Sequence, residues 1–123
     1  MLIRFKKSFE KIAMGLLSFM PDQKEVKKLQ QTIKEYETNE KWHLFLWKEE
    51  EDILGAVGII QEDNDIILQH ITVNPSHRGV GIGQNMVKSL KEMYKEPYRI
   101  LPNKQTERFL SKCDVSNSDS ENE

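Results

Sequence analysis

The chain lacks the residues and patterns that identify several classes of protein. It has a single cysteine, Cys113, which excludes an internal disulfide and a zinc site built from cysteines. Its formal net charge is only −2, so bulk electrostatics indicate no nucleic-acid partner. The apolar stretch from Ile12 to Met20 is too short to span a membrane and is followed by no signal-peptide cleavage site. We therefore expect a cytoplasmic protein with no nucleic-acid or membrane partner.

The first third of the chain shows helical periodicity after a short apolar stretch from Leu2 to Phe5, which predicts a strand. A first helix is predicted from Phe9 to Met20, ending before a proline. Asp22 and Glu25 have the spacing of a capping box and predict the start of a second helix. Its apolar residues recur at steps of three and four and predict one face turned to the core: Val26, Leu29, Ile33 and Tyr36.

Strand patterns joined by charged turns follow, which predicts antiparallel neighbours. A predicted helix and a short strand then form one crossover unit, so the last strand should lie parallel to the third of these strands. The predicted class is α+β, or mixed α/β, with a central mixed sheet built from an antiparallel meander and one β-α-β crossover. The strands are Trp42–Trp47, Ile53–Ile60, Ile66–Val73 and Tyr98–Leu101; the helices are Ile82–Lys95 and Thr106–Cys113.

These elements predict one domain over residues 1–113. The remaining residues, 114–123, are acidic and rich in serine, which predicts a disordered tail. The acidic turn from Glu62 to Asp65 lacks the spacing of a metal-binding loop, so we expect no metal.

Three alternating glycines, Gly79, Gly81 and Gly83, stand at the junction between the third strand and the following helix. Glycine allows unusual backbone dihedrals and lets a ligand approach the backbone closely. The first turn of a helix has N–H groups without partners and lies at the positive end of the helix dipole. Arg78 can add a charge-assisted contact. This segment therefore predicts a phosphate-binding site.

The spacing of these glycines excludes two common phosphate-binding motifs. A dinucleotide fingerprint counted from Gly79 or Gly81 would need a further glycine where the chain has Gln84 or Met86. The Gly-Lys-Ser/Thr of a P-loop is absent as well.

The stretch Arg78-Gly79-Val80-Gly81-Ile82-Gly83, preceded by Val73-Asn74-Pro75, resembles motif A of the GNAT acetyltransferase superfamily, Gln/Arg-x-x-Gly-x-Gly/Ala. The likeness extends over residues 1 to 113, including the two N-terminal helices. It implies a GNAT fold and acetyl-coenzyme A (acetyl-CoA) as the cofactor. The cofactor-binding residues that it implies are Ile71, Val73, Arg78, Gly79, Val80, Gly81, Ile82, Gly83, Gln84, Asn103 and Phe109.

The resemblance also implies a role for several of these residues. The N–H groups of residues 78 to 83 would hold the coenzyme A (CoA) pyrophosphate. The backbone N–H of Ile71 would hold the oxyanion of the reaction, and Val73 would pair with the pantetheine arm. Asn103 would contact the same arm, although an asparagine after Pro102 is also a helix N-cap. Phe109 belongs to the helix that would flank the cofactor.

The residues that would move protons depart from the family pattern. Ile67 stands where members of the family carry a glutamate base, and Leu110 stands where they carry a tyrosine acid. His70, on the same strand, could titrate near neutral pH and is the candidate base. Strand alternation points His70 away from the face of Ile67 unless a bulge intervenes.

Members of the family also continue with two further strands, for which the chain has only the polar tail. We therefore expect an acceptor side that is open or completed by a second copy in a homodimer. Within the family, the overall likeness is to small members encoded among riboflavin-synthesis genes. Two functions stay open: an N-acetyltransferase acting on an unknown amine by direct attack, or a GNAT-fold acyl-CoA-binding module or regulatory partner without turnover.

Overall fold

The computed structural model describes residues 1–113, and the predicted acidic tail at 114–123 lies outside them. None of the helices in this described part is both long and apolar enough to cross a bilayer. The strands are β1 (Leu2–Arg4), β2 (Trp42–Glu49), β3 (Asp52–Glu62), β4 (Asp65–Val73) and β5 (Arg99–Pro102), and the helices are α1 (Glu10–Leu17), α2 (Val26–Thr38), α3 (Ile82–Met93) and α4 (107–113). Short 3-10 turns occupy Lys7–Phe9, Pro21–Gln23 and Pro75–His77.

The five strands form one sheet in the order β1-β2-β3-β4-β5. The first four pair as antiparallel neighbours, and β5 pairs parallel to β4 after the crossover through α3. The predicted α+β class, with its meander and single crossover, is confirmed. Residues 1–113 contain no strand after β5.

Helices cover both faces of the sheet and bury two apolar clusters. Along β2, Leu44 and Leu46 pack with α1 and α2, whereas Phe45 between them packs with α3 and α4. This alternation follows from the period of two in a strand, and it explains why β2 is apolar at successive positions.

The predicted start of the second helix was wrong. Asp22 lies in the 3-10 turn, and α2 begins at Val26 with Glu25 as its N-cap, whose side chain makes no capping hydrogen bond. Val26 was also assigned wrongly to the core face, since it is 66% exposed. The buried residues of α2 begin only at Leu29, so the first turn of the helix extends beyond the core.

A bulge interrupts β4. Leu68 pairs with Ile59, but His70 pairs with Gly58, which leaves Gln69 without an opposite residue on β3. An extra residue reverses the side-chain alternation beyond it. Leu68 therefore packs in the α3 cluster, whereas His70 reaches α2 on the other face.

Candidate active site

A cleft of about 740 Å³ opens beside the carboxyl-terminal half of β4. Its walls come from β4, the glycine segment, the start of α3, α4 and the connection between α1 and α2. The lining residues are Phe19, Met20, Pro21, Ile71, Thr72, Val73, His77, Arg78, Gly79, Gly81, Ile82, Gly83, Gln84 and Phe109.

The cleft exists because β5 stops pairing with β4 halfway along it. The parallel register ends where Leu68 meets Pro102. The side chain of Asn103 then donates from Nδ2 to the carbonyl oxygen of Gln69 at 3.1 Å. From Gln69 to Val73 this edge of β4 has no strand partner within residues 1–113. Buried backbone groups need hydrogen-bond partners, so the open edge suits an extended ligand.

The glycine segment turns sharply into α3. Gly79 and Gly81 have φ angles of +87° and +83°, in the left-handed region, and Gly81 is the N-cap of α3. A residue with a Cβ would pay about 1–2 kcal/mol for this conformation. Asn74 steadies the approach to the turn, since its Oδ1 accepts from the N–H of Ser76 at 2.9 Å. The segment therefore presents the positive end of α3 to the cleft.

Gly83 and Phe109 meet at the inner wall. A Cβ on Gly83 would lie 2.5 Å from Cζ of the Phe109 ring, which is too close for two carbon atoms. The glycine thus lets α4 pack against the first turn of α3 and places Phe109 on the cleft. Two residues predicted from separate parts of the sequence are brought together here.

Arg78 bridges the two sides of the cleft. Its Nε donates to the carbonyl oxygen of Val73 at 3.2 Å, and its guanidinium carbon lies 5.8 Å from the centre of the Phe19 ring. The side chain is exposed and carries a full positive charge toward the cleft.

Most of the predicted cofactor-binding residues line the cleft, but two do not. Val80 is 68% exposed and is not among the residues that line the cleft. Asn103 instead caps the turn at residues 104–106 that leads into α4: its Oδ1 accepts from the N–H groups of Gln105 and Thr106 at 2.8 and 2.9 Å. Its amide Nδ2 also donates to the carbonyl oxygen of Gln69, the bulge residue of β4.

His70 is 1% exposed and does not line the cleft. Its Nδ1 lies 2.6 Å from the hydroxyl of Tyr36, and its Nε2 lies 3.4 Å from Nε2 of Gln23 and 3.7 Å from Oδ2 of Asp22. Burial lowers the pKa of His70 to about 4, against the opposing effect of the Asp22 carboxylate. The imidazole is therefore neutral at pH 7. The bulge turns its side chain to the same face of β4 as Ile67.

The buried polar cluster around His70 was not foreseen. Gln23 completes it, since its Oε1 accepts from the hydroxyl of Thr32 at 2.8 Å. Gly58 makes room for it, because a Cβ there would overlap the hydroxyl of Tyr36. A glycine inside a strand indicates a bulge or a close approach, and both occur here. Gly58 was therefore the signal that could have located the cluster. No group of three or more potential metal ligands occurs within residues 1–113.

Residues 10–114 match the sequence model of the Acetyltransferase (GNAT) family. The chain belongs to this family. An N-acetyltransferase in the lysA 3′ region of Bacillus methanolicus is 56% identical over 116 residues, which cover 94% of this chain and 96% of that relative. The family and this relative together identify the GNAT protein described here as an acyltransferase.

Solved structures share the GNAT fold at low sequence identity. AAC(6′)-Iy in complex with the bisubstrate analogue CoA-S-monomethyl-acetylneamine has a TM-score of 0.73 at 13% identity, covering 96% of this chain and 87% of that chain. A GNAT family acetyltransferase from Elizabethkingia anophelis with acetyl-CoA bound has a TM-score of 0.68 at 16% identity, covering 94% of this chain and 73% of that chain. The predicted GNAT fold is confirmed.

Proposed function

We propose that this GNAT protein binds acetyl-CoA in the cleft beside β4 and transfers the acetyl group to an amine by direct attack. The observation that carries the proposal is the turn at Gly79 and Gly81, which ends in the amino terminus of α3 at the mouth of the cleft. The two solved GNAT relatives described above, which hold a CoA-based analogue and acetyl-CoA, support this choice of ligand.

The residues present suit a phosphate group at this end of the cleft. The first turn of a helix directs its N–H groups out along the axis, and its positive terminus favours an anion. Arg78 can turn from the carbonyl of Val73 toward a phosphate, where its fork of N–H donors binds more strongly. The cleft volume of about 740 Å³ lies in the range of small-molecule sites.

The open edge of β4 suits the pantetheine arm. When Arg78 moves to the phosphates, the carbonyl of Val73 becomes available to an amide N–H of the arm. Phe109 provides an apolar wall opposite. In this proposal the N–H of Ile71 holds the oxyanion, and one such donor contributes about 2.7–4 kcal/mol in acyl transfer.

Bound acetyl-CoA would supply a thioester, and transfer forms a carbon–nitrogen bond as the carbon–sulfur bond breaks. The amine gives up a proton, and the CoA thiolate takes one up. His70 was the candidate proton acceptor, but it is 1% exposed, does not line the cleft and has a pKa lowered to about 4, so the geometry does not favour it as the base. Thr72, two positions further along the same face, lines the cleft.

Titration calorimetry with CoA tests the ligand. Gly81→Glu is expected to abolish measurable binding, since the new carboxylate would oppose the phosphates and its backbone would be strained. Gly81→Ala carries the same strain without the charge, and its affinity should fall by about tenfold at most. Thermal denaturation checks that both variants fold. Unchanged CoA affinity in Gly81→Glu would show that the ligand binds elsewhere.

Release of the CoA thiol from acetyl-CoA in the presence of a panel of primary amines separates enzyme from binding module. Amine-dependent release is the expected result. Tight CoA binding without release would indicate an acyl-CoA-binding module instead. Ile67 and Leu110 support that alternative, because neither side chain can transfer a proton.

The homodimer, the cytoplasmic location and the link to riboflavin synthesis stay predictions. Sedimentation of the purified protein tests the first of these.

A further inference from the structure

Phe19 brings an aromatic ring to the cleft from outside the glycine segment. It lies between α1 and α2, in a stretch that is hydrogen-bonded to the end of α1. The N–H of Phe19 donates to the carbonyl oxygen of Leu16 at 3.2 Å, and the N–H of Met20 donates to that of Leu17 at 2.9 Å. The backbone of this wall is thus held in place, while Phe19 itself is 42% exposed. The face of its ring is therefore available to a cation.

The side chain of Arg78 joins this ring to the opposite wall of the cleft. Its Nε donates to the carbonyl oxygen of Val73 at 3.2 Å, and its guanidinium carbon lies 5.8 Å from the centre of the Phe19 ring. Val73 lines the cleft from β4, and Phe19 lines it from the connection between the first two helices. We call these two contacts of Arg78 the Arg78 bridge.

The Arg78 bridge obstructs the path proposed for the pantetheine arm. That path follows the open edge of β4 and uses the carbonyl of Val73. A carbonyl oxygen can accept a second hydrogen bond, but the guanidinium lies in the space between Val73 and the Phe19 ring. An incoming arm must therefore displace Arg78 from both of its partners.

A phosphate group offers Arg78 a stronger partner than either of them. Guanidinium binds phosphate through two parallel N–H donors, and both partners are charged. The carbonyl of Val73 is neutral and accepts only one N–H of Arg78. The amides and the thiol of the pantetheine arm are neutral as well. The pyrophosphate of CoA can therefore draw Arg78 away from the bridge, whereas the arm alone cannot.

We propose that the Arg78 bridge selects against pantetheine-bearing ligands that lack a phosphate, which makes Phe19 a specificity-determining residue. This inference rests on the proposed binding of CoA in the cleft. Phe19 acts on the ligand through Arg78, because its ring holds the guanidinium over the cleft until a phosphate draws it away.

The test compares CoA with pantetheine, which is the same arm without the phosphates and the nucleotide, by calorimetry on the full-length protein. Arg78→Met keeps a long side chain but removes every donor. It should bind CoA at least about threefold more weakly than the wild type, because the phosphate contact is lost. It should bind pantetheine at least about fivefold more tightly, because the Arg78 bridge is gone. The two affinities should thus change in opposite directions.

Phe19→Leu keeps an apolar wall but removes the aromatic ring. Val73 alone then holds Arg78, so pantetheine should bind about two- to fivefold more tightly, with no loss of CoA affinity. In the Arg78→Met background the same substitution should not raise the affinity, since the bridge is already absent. Arg99→Met is the matched control: Arg99 pairs with Asp65 at the other end of β4, and both affinities should stay unchanged.

Each result has a distinct meaning. If Arg78→Met binds CoA more weakly but pantetheine no more tightly, or shows no pantetheine binding, Arg78 only contacts the phosphate and the inference fails. If both affinities fall, Arg78 has a structural role and the inference fails as well. If Phe19→Leu raises pantetheine affinity equally with and without Arg78, Phe19 does not act through the bridge and its proposed role is wrong. If the wild-type protein does not bind CoA at all, the proposed function itself is wrong and this inference with it.

Discussion

Lowering the pH from 7.5 to 5.0 is expected to destabilise the folded protein by about 2 kcal/mol through His70 alone. Burial lowers the pKa of His70 to about 4 in the folded chain, with Asp22 opposing the shift and Lys28 adding to it. In the unfolded chain the pKa is about 6.5. The unfolded chain therefore binds a proton between these two values that the folded chain does not bind.

The sign and the size follow from this difference. The contribution of neutral His70 to the free energy of unfolding is fully present above about pH 6.5 and is lost as the pH falls toward 4. The two pKa values differ by an amount worth about 3 kcal/mol, of which about 2 kcal/mol is lost by pH 5. The protonated imidazole would have to lie between the hydroxyl of Tyr36 and the amide of Gln23, with the Asp22 carboxylate at 3.7 Å as its counter-ion.

Urea denaturation followed by the fluorescence of Trp42 and Trp47 measures this effect at both pH values. His70→Gln is the comparison, because glutamine can hydrogen-bond to Tyr36 but does not titrate. His43, whose pKa burial and Arg4 lower, contributes equally to both proteins. The wild type should lose about 2 kcal/mol more than the variant on acidification. Equal losses in the two proteins would refute the reasoning.

Two further substitutions and one control substitution test how the site is built. Gly58→Ala is expected to cost about 1–3 kcal/mol in urea denaturation, because the new Cβ would overlap the hydroxyl of Tyr36. Gly15→Ala, in a helix where the new Cβ would meet no atom of another element within 4 Å, should instead gain about 0.5–1 kcal/mol; the same effect at both glycines would contradict the packing. Asn103→Ala should cost about 0.5–2 kcal/mol because it removes the cap of the turn that leads into α4 and the bond to Gln69, and wild-type stability would count against that role.

Elements with strong local periodicity were predicted well. The nearly continuous apolar run of residues 66–73 indicated β4, and the apolar face after Ile82 indicated α3; both are confirmed within a few residues. Periodicity depends on neighbours along the chain, so it can be read without the fold. The glycine segment could also be identified from the sequence, because its residue spacing, its positive φ angles and its place before a helix are local properties.

Features that depend on distant partners were missed or assigned wrongly. Asp22 has the spacing of a cap, yet its side chain lies beside His70, which is 48 positions further along the chain. The spacing of Asp22 and Glu25 is compatible with a helix start and also with a 3-10 turn, and contacts across the fold decide between them.

The sequence by itself determined the class of fold, the strands β2 to β5 and the turn that we propose to hold a phosphate. Each of these follows from patterns within about fifteen neighbouring residues. Only the tertiary structure decided which way His70 faces, because a single extra residue in β4, set by its register with β3, reverses every side chain beyond it. The same register brings Thr72 to the cleft and Asp22 to His70. Pairing between distant strands and helices fixes these positions, and no local pattern reports it.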